Sequence, residues 1–345
     1  MSQKFDVVIG NPPYQEEARG EGTRETPLYH LFMDAAYEIG KKAVLITPAR
    51  FLFSAGFTPK AWNEKMLSDP RLVVSHYEPK SQEVFPGPDI KGGIAVTSWD
   101  QDREGDPIGT FTKYPELNTI LQKVIESKAV PIERIGISTS RSYRYSDKLY
   151  EDHPELLSLR PSGNKYLIST NAFEQFDKIF STEAPSEAGR HCQILGLDGR
   201  ARDYRWISAD YIAGPESFRS FKVVLTAANG SGVLGEPLSS PLIVGPDVAV
   251  TQTFITVGAF EDEDSAVACL KYVKSKFARV LLGVLKITQH NPAKVWKYVP
   301  LQDFTSSSDI DWTALDGEID QQLYSKYGLD AAEIEFIETE VRSMA

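Results

Sequence analysis

The chain has 345 residues, 41% of them hydrophobic and 25% charged, with a formal net charge of −11. That length allows two domains, and that composition excludes the collagen-like, disordered and disulfide-scaffold classes. Apolar runs of bilayer-spanning length are absent, and a core-like strand starts within the first ten residues, so neither a membrane span nor a signal peptide is expected. Cys192 and Cys269 stand alone without metal-ligand spacing; such thiols suit a reducing cytoplasm and are expected to be buried and structural. The acidity is local: residues 303–345 hold eleven acidic and two basic residues. The rest is close to neutral, which permits a basic groove without announcing one.

The first element is Phe5-Asp6-Val7-Val8-Ile9, whose consecutive β-branched residues predict a parallel strand covered on both faces. Gly10 lets the backbone turn, Pro12 and Pro13 fix φ at successive positions, and Asn11, before a proline, is held extended. The turn presents one amide, prolyl carbonyls with no strand partner, and the Tyr14 ring. An amide oxygen and a backbone carbonyl can each accept one hydrogen of an exocyclic NH2. They thereby stabilise the positive charge that grows as the nitrogen attacks an electrophile. Tyr14 can stack on a planar base carrying that amine. Asn-Pro alone is a common turn signal; its union with a buried strand carries the functional reading.

Residues 15–26 are polar, with Gly20 and Gly22, and read as a loop that closes over a substrate or as a plain solvated connection. Thr26-Pro27 signals a helix start; Leu28, Leu31, Phe32, Ala35 and Ile39 form one apolar face, and Gly40 stops the helix. A strand at 43–47, a short helix at 62–67 and strands at 72–76 and 94–99 complete an α/β winding.

At Asn11-Pro12-Pro13-Tyr14 the chain resembles the amino-methyltransferases that use S-adenosylmethionine, and among them the adenine-N6 DNA methyltransferases of restriction-modification systems, with a gamma-like motif order. Ile46-Thr47-Pro48-Ala49-Arg50-Phe51 is similar to the family's next strand end, and Glu83-Val84-Phe85-Pro86 with residues 92–100 to its last sheet hairpin. Residues 271–282, 298–304 and 323–329 are similar to its recognition region and tail. The resemblance implies that residues 11–14 hold the target amine, that Tyr14 and Phe85 face the flipped base, and that Asp6 borders the donor. For Phe85 a core or loop position is an equal alternative, and for Asp6 so is an ordinary acid at the strand's start. His76, near a strand end, is better read as structural, because methylation of a neutral amine needs no strong base.

From about residue 105 the alternation of strands and helices gives way to short mixed segments. Two clusters interleave basic and aromatic residues: Arg141, Tyr143, Arg144, Tyr145 and Lys148, then Arg200, Arg202, Tyr204, Arg205 and Trp206. Arginines can bond phosphates and guanine edges while aromatics stack on unpaired bases, so Arg141, Arg144, Arg200, Arg202 and Arg205 are the DNA-binding candidates. Gly230-Ser231-Gly232-Val233-Leu234-Gly235 spells G-x-G-x-x-G, but the prolines at 237 and 241 forbid the helix a dinucleotide fingerprint must open. It reads as a flexible loop reaching toward a DNA groove. Residues 264–282 predict one amphipathic helix with a basic side, followed by helices at 312–327 and 330–341, with Asp330 and Glu333 as a capping pair.

The expected fold class is thus α/β: a partial Rossmann-like methyltransferase sheet over residues 1–104, a mixed α+β target-recognition domain over 105–302, and an acidic helical tail over 303–345. In the family the glycine-rich donor loop lies many tens of residues before the Asn-Pro-Pro-Tyr turn, and here ten residues precede it. The expected function is a DNA adenine-N6 methyltransferase component acting on double-stranded DNA in the cytoplasm. Its S-adenosylmethionine site is incomplete, and a protein partner is expected to supply the donor-binding half. The alternatives are a non-catalytic DNA-binding specificity or antirestriction component and, because a glutamine amide also presents NH2, a protein glutamine methyltransferase.

Overall fold

Phe5–Gly10 forms the first strand, β1, and runs parallel to β2, Gly40–Pro48, in the computed structural model of the chain. The structure describes residues 5–15, 26–53, 57–85, 90, 92–159, 163–186, 189–286 and 288–344; the loop expected around 16–25 and the stretch after Phe85 fall outside them. Backbone contacts divide the chain into two units, 1–118 and 119–345.

In the first unit β1 and β2 are joined through helix α1, Tyr29–Ile39; helix α2 spans Lys60–Leu67, and strands β3, Leu72–Glu78, and β4, Ile94–Asp100, complete the sheet in the order β1-β2-β4-β3. β4 is antiparallel to both neighbours, so β1, β2 and β3 point the same way. Both helices cover one face. Tyr29, Met33 and Ala36 of α1 and Trp62 and Met66 of α2 pack on Ala43, Leu45, Ala95 and Trp99 of the strands.

Two expectations need correction here. The first helix begins at Tyr29 rather than at Thr26-Pro27, with Leu28 at its N-cap and no capping side chain. Its buried stripe is Tyr29, Met33 and Ala36, spaced as one helical face, which turns Leu31, Phe32 and Ile39 outward. Nor is β1 buried on both faces. Val8 packs into the core under α1, while Phe5, Val7 and Ile9, which alternate onto the opposite face, are 53%, 49% and 78% exposed. An unbroken β-branched run reads as doubly covered, but among the described residues β1 is an edge strand.

The second unit starts within helix α3, Pro115–Glu126. Its strands are β5, Arg144–Tyr145, β6, His191–Asp198, β7, Ala201–Ser208, β8, Ile212–Ala213, β9, Phe221–Thr226, β10, Leu242–Val244, β11, Val248–Val250, and β12, Phe254–Phe260. They form sheets β10-β9-β12 and β11-β6-β7 and the pair β5-β8. Short helices α4, Asp147–Asp152, and α5, Ala172–Gln175, pack beside them, and α6 to α9 span Glu263–Lys274, Lys276–Leu285, Asp316–Lys326 and Ala331–Glu340. Cys192 and Cys269 are both buried and free.

The single helix expected over 264–282 is broken at Ser275, whose backbone is extended and whose side chain caps the N-terminus of α7 by accepting from Ala278 N–H at 3.1 Å. The basic side expected there is turned onto the acidic C-terminal helices. Lys271 donates to the carbonyls of Trp312 and Ala314, Lys274 faces Asp316 at 4.0 Å, and Lys276 meets Glu338 at 2.5 Å. Arg279 is buried against the carbonyls of Lys274, Gly235 and Arg342. Asp330 caps α9 reciprocally with Glu333, as the capping pair predicts.

Asp320 lies buried at the N-terminus of α7, accepting from Lys276 N–H at 3.1 Å and Phe277 N–H at 3.0 Å. Burial pushes its carboxyl up to about 6, against the pull of those two donors. A carboxyl that holds its proton longer folded than unfolded, where about 3.9 is usual, makes stability fall as pH rises between the two values. Thermal midpoints across that window should therefore fall less steeply for Asp320→Asn than for the parent chain. Equal slopes would remove Asp320 as the cause.

Candidate functional site

The turn that follows β1 is placed by its neighbours. Gly10 is still a strand residue, opposite Leu45, and a Cβ there would meet the Leu45 side chain at an ordinary 3.5 Å. The change of direction therefore comes at Asn11-Pro12-Pro13 rather than at the glycine. The Tyr14 carbonyl accepts from Leu28 N–H at 3.0 Å, which pins the end of the turn to the start of α1. Asn11 and Pro13 are exposed, while Pro12 and Tyr14 are half-buried.

Tyr14 and Asn11 are close enough to interact. Burial raises the Tyr14 hydroxyl above its ordinary pKa, and the Asn11 amide draws it part of the way back. The hydroxyl oxygen is shut off from solvent and makes no hydrogen bond of normal geometry among the described residues. Tyr14 is thus half-buried with its hydroxyl turned inward, and the exposed Asn11 lies close beside it. Thr47, level with the turn in the next strand, also has a buried hydroxyl without a partner among the described residues.

The carboxyl ends of β1, β2 and β3 and the start of β4 lie along one edge of the sheet. Phe85 follows β3 and so belongs to that edge, half-buried, with its N–H bonded to the Ser81 carbonyl at 2.8 Å. Phe85 lies seven residues beyond the end of β3, past the short turn Ser81–Glu83. Asp6 is not brought to the turn. It lies five residues back along β1, about 16 Å away, exposed and ion-paired with Lys41 at 2.7 Å. Arg50, part of the Ile46–Phe51 stretch but given no role of its own there, lies in the tight turn Ala49–Phe53 that follows β2, and a Cβ on Gly92 would come within 3.0 Å of its Cγ. Its signal was a cation directly after a strand-ending Pro48-Ala49.

The arginine clusters separate into two kinds. Arg141, Arg144 and Arg200 are exposed, and Arg200 sits at the β6–β7 hairpin beside Gly199. Arg202 instead donates to the carbonyls of Ser239 and Ser240 and lies over the Phe254 ring. Arg205 is held between Asp198 and Asp203 at 2.7 Å each. Those two arginines are occupied with their own fold. The interleaved Tyr143 and Tyr145 are buried in the core, so they are closed to base stacking. Alternation with period two is what a strand with one face inward produces.

Residues 1–85, which contain the turn and end at Phe85, match the model of the Eco57I restriction-modification methylase family. An uncharacterized adenine-specific methylase of Mycoplasma pneumoniae (strain ATCC 29342 / M129 / Subtype 1) is 30% identical over 105 residues, 30% of this chain and 25% of that protein. The chain resembles the adenine methyltransferases of restriction-modification systems. It spans about a quarter of the length of that curated relative. Among solved structures, the type IIG restriction endonuclease BpuSI aligns with 96% of this chain and 52% of its own at 10% identity and a TM-score of 0.35. The type IIL restriction-modification enzyme MmeI, in complex with DNA, aligns with 97% of this chain and 56% of its own at 10% identity and a TM-score of 0.31.

Proposed function

We propose that this chain is the target-binding part of an adenine-N6 DNA methyltransferase of a restriction-modification system. The observation that carries the proposal is the turn at residues 11–14, seated at the carboxyl end of a parallel edge strand. Ligands of open α/β sheets bind outside such strand ends. The Asn11 side-chain oxygen and a prolyl carbonyl accept the two hydrogens of the adenine amino group, and the Tyr14 ring lies against the base. As the nitrogen gains positive charge, those acceptors bind it more strongly than in the ground state. The proton leaves after transfer, which agrees with the lack of any strong base in the turn.

The resemblance implies S-adenosylmethionine as donor, which would bring the electrophilic methyl group. The residues described here do not form a site for it. Asp6 is paired with Lys41 at the far end of β1, and the glycine-rich stretch 230–235 closes on Glu236 of its own chain. In this reading the donor is presented from beside β1, where, among the described residues, the strand's outer edge and the side chains of Phe5, Val7 and Ile9 are open. A donor-binding polypeptide that extends the partial Rossmann-like sheet at that edge would complete the site and bury the apolar face.

Target recognition falls to the second unit, with Arg141, Arg144 and Arg200 as DNA contacts and Arg202 and Arg205 as supports for the surface that presents them. Duplex binding measured at several salt concentrations tests this. Charge removal at each of the first three should lower the salt slope by about one if it meets a phosphate. It should instead cost about 1–3 kcal/mol at one base pair if it meets a base edge. Charge removal at Arg202 or Arg205 should lower the thermal midpoint first. If the triple substitution leaves affinity and slope unchanged, the recognition surface lies elsewhere.

A further inference from the structure

The glycine-rich stretch 230–235 is wrapped around a carboxylate. Ser231 N–H donates to Glu236 Oε2 at 2.8 Å and Gly232 N–H to Oε1 at 3.2 Å. Lys286, itself buried, closes on Glu236 from beneath and donates to the Asn229 carbonyl at 2.8 Å. Gly230 and Gly232 have φ of +63° and +87°, and a Cβ on Gly230 would overlap the Glu236 carboxylate. The motif's glycines therefore make room for an internal anion, in the manner of backbone nests.

Both legs of the loop are tied down. Asn229 Nδ2 donates to the Pro237 carbonyl at 2.9 Å, the Gly235 carbonyl accepts from Arg279 at 3.0 Å, and Leu238 is buried. Arg202 holds the carbonyls of Ser239 and Ser240. Between these anchors Ser231 and Val233 face solvent, Val233 with 62% of its surface exposed. The loop is latched rather than flexible, contrary to the sequence expectation.

We propose that residues 229–241 form a pre-ordered finger that contacts double-stranded DNA through Ser231 and Val233, with the Glu236–Lys286 pair as its latch. The inference rests on reading the chain as a DNA methyltransferase component. Charge favours DNA as the occupant. Glu236 is the single charged residue between 229 and 241, and Lys286 cancels it inside the protein, so the stretch itself presents no net charge to a polyphosphate, while Gly235 packs against the end of the acidic helix α9 at Glu340 and Val341. Arg202, bonded to the loop's far leg, and the exposed Arg200 two positions before it set positive charge alongside. An apolar side chain on a fixed backbone is suited to entering a groove or separating stacked bases, and pre-ordering removes part of the entropy cost of binding.

Fluorescence anisotropy of the full chain with a labelled mixed-sequence duplex tests the finger. Val233→Asp should weaken binding about tenfold, the effect of losing one good base-pair contact, with the thermal midpoint unchanged because the side chain is exposed. Glu236→Ala should weaken binding too, and excess sodium acetate should restore part of the affinity relative to sodium chloride at equal ionic strength, by refilling the nest. Because Glu236→Ala can also impair folding, Val233→Asp carries the decision. If Val233→Asp binds as tightly as a parent chain that does bind DNA, the finger is wrong and the methyltransferase reading stands. If the parent binds no duplex, both fall.

Discussion

If the proposed function holds, replacing Asn11 by Ala should lower kcat for adenine methylation by about 10²–10³-fold, the cost of removing one preorganised group from a charge-stabilising site, about 2.7–4 kcal/mol. The effect belongs in kcat because the two acceptors engage the amine most strongly once it carries positive charge, and the KM for DNA should change little. Asn11 is exposed at the end of β1, so the substitution removes an acceptor without opening a cavity. Steady-state kinetics of the chain assembled with the proposed donor-binding partner would separate the two parameters. A variant that retains the parent kcat would leave Asn-Pro-Pro-Tyr as nothing more than a turn.

The second large effect is expected at the β1 edge. Phe5, Val7 and Ile9 present an apolar strip on a strand whose one charged residue, Asp6, is paired with Lys41 and which lacks the lysines, prolines or bulges by which natural edges are blunted. Full burial of such side chains stabilises an assembly by about 1.5–3 kcal/mol each. Val7→Lys together with Ile9→Lys should therefore abolish assembly with the donor-binding partner, and with it methylation. The isolated chain should keep its thermal midpoint, since exposed substitutions usually change stability by less than about 0.5 kcal/mol. Methylation at the parent level by this double variant would show that the donor reaches the turn by another route.

The sequence showed the turn, the α/β alternation of the first unit and the capping pair at Asp330 and Glu333, because each is written in neighbouring residues. What it hid depends on distant or absent partners. The run Val7-Val8-Ile9 has the same composition whether its cover comes from this chain or another, so its exposed face had no local signal. The apolar stripe of α1 was misplaced by one position: Leu31, Phe32 and Ile39 are apolar as well as Met33 and Ala36, and the helix carries more apolar surface than one core face uses. Tyr143 and Tyr145 alternate with arginines as a stacking platform would, yet the same alternation serves a short strand with a buried face. Lys274 and Lys276 looked free because their counterions, Asp316 and Glu338, lie some 40 to 60 positions later. Pairing at that separation leaves no trace in a local window.

The measurement closest to the central claim is the chemical identity of the methylated product. The assembly recovered through this chain would be supplied with methyl-labelled S-adenosylmethionine and adenine-containing duplex DNA, together with its own protein components. Products would then be digested to nucleosides and amino acids. Label in N6-methyladenine is expected, reduced about 10²–10³-fold after Asn11→Ala. Label in glutamine side chains with none in DNA would contradict it, as would label in N6-methyladenine that persists at the parent level in the Asn11→Ala chain.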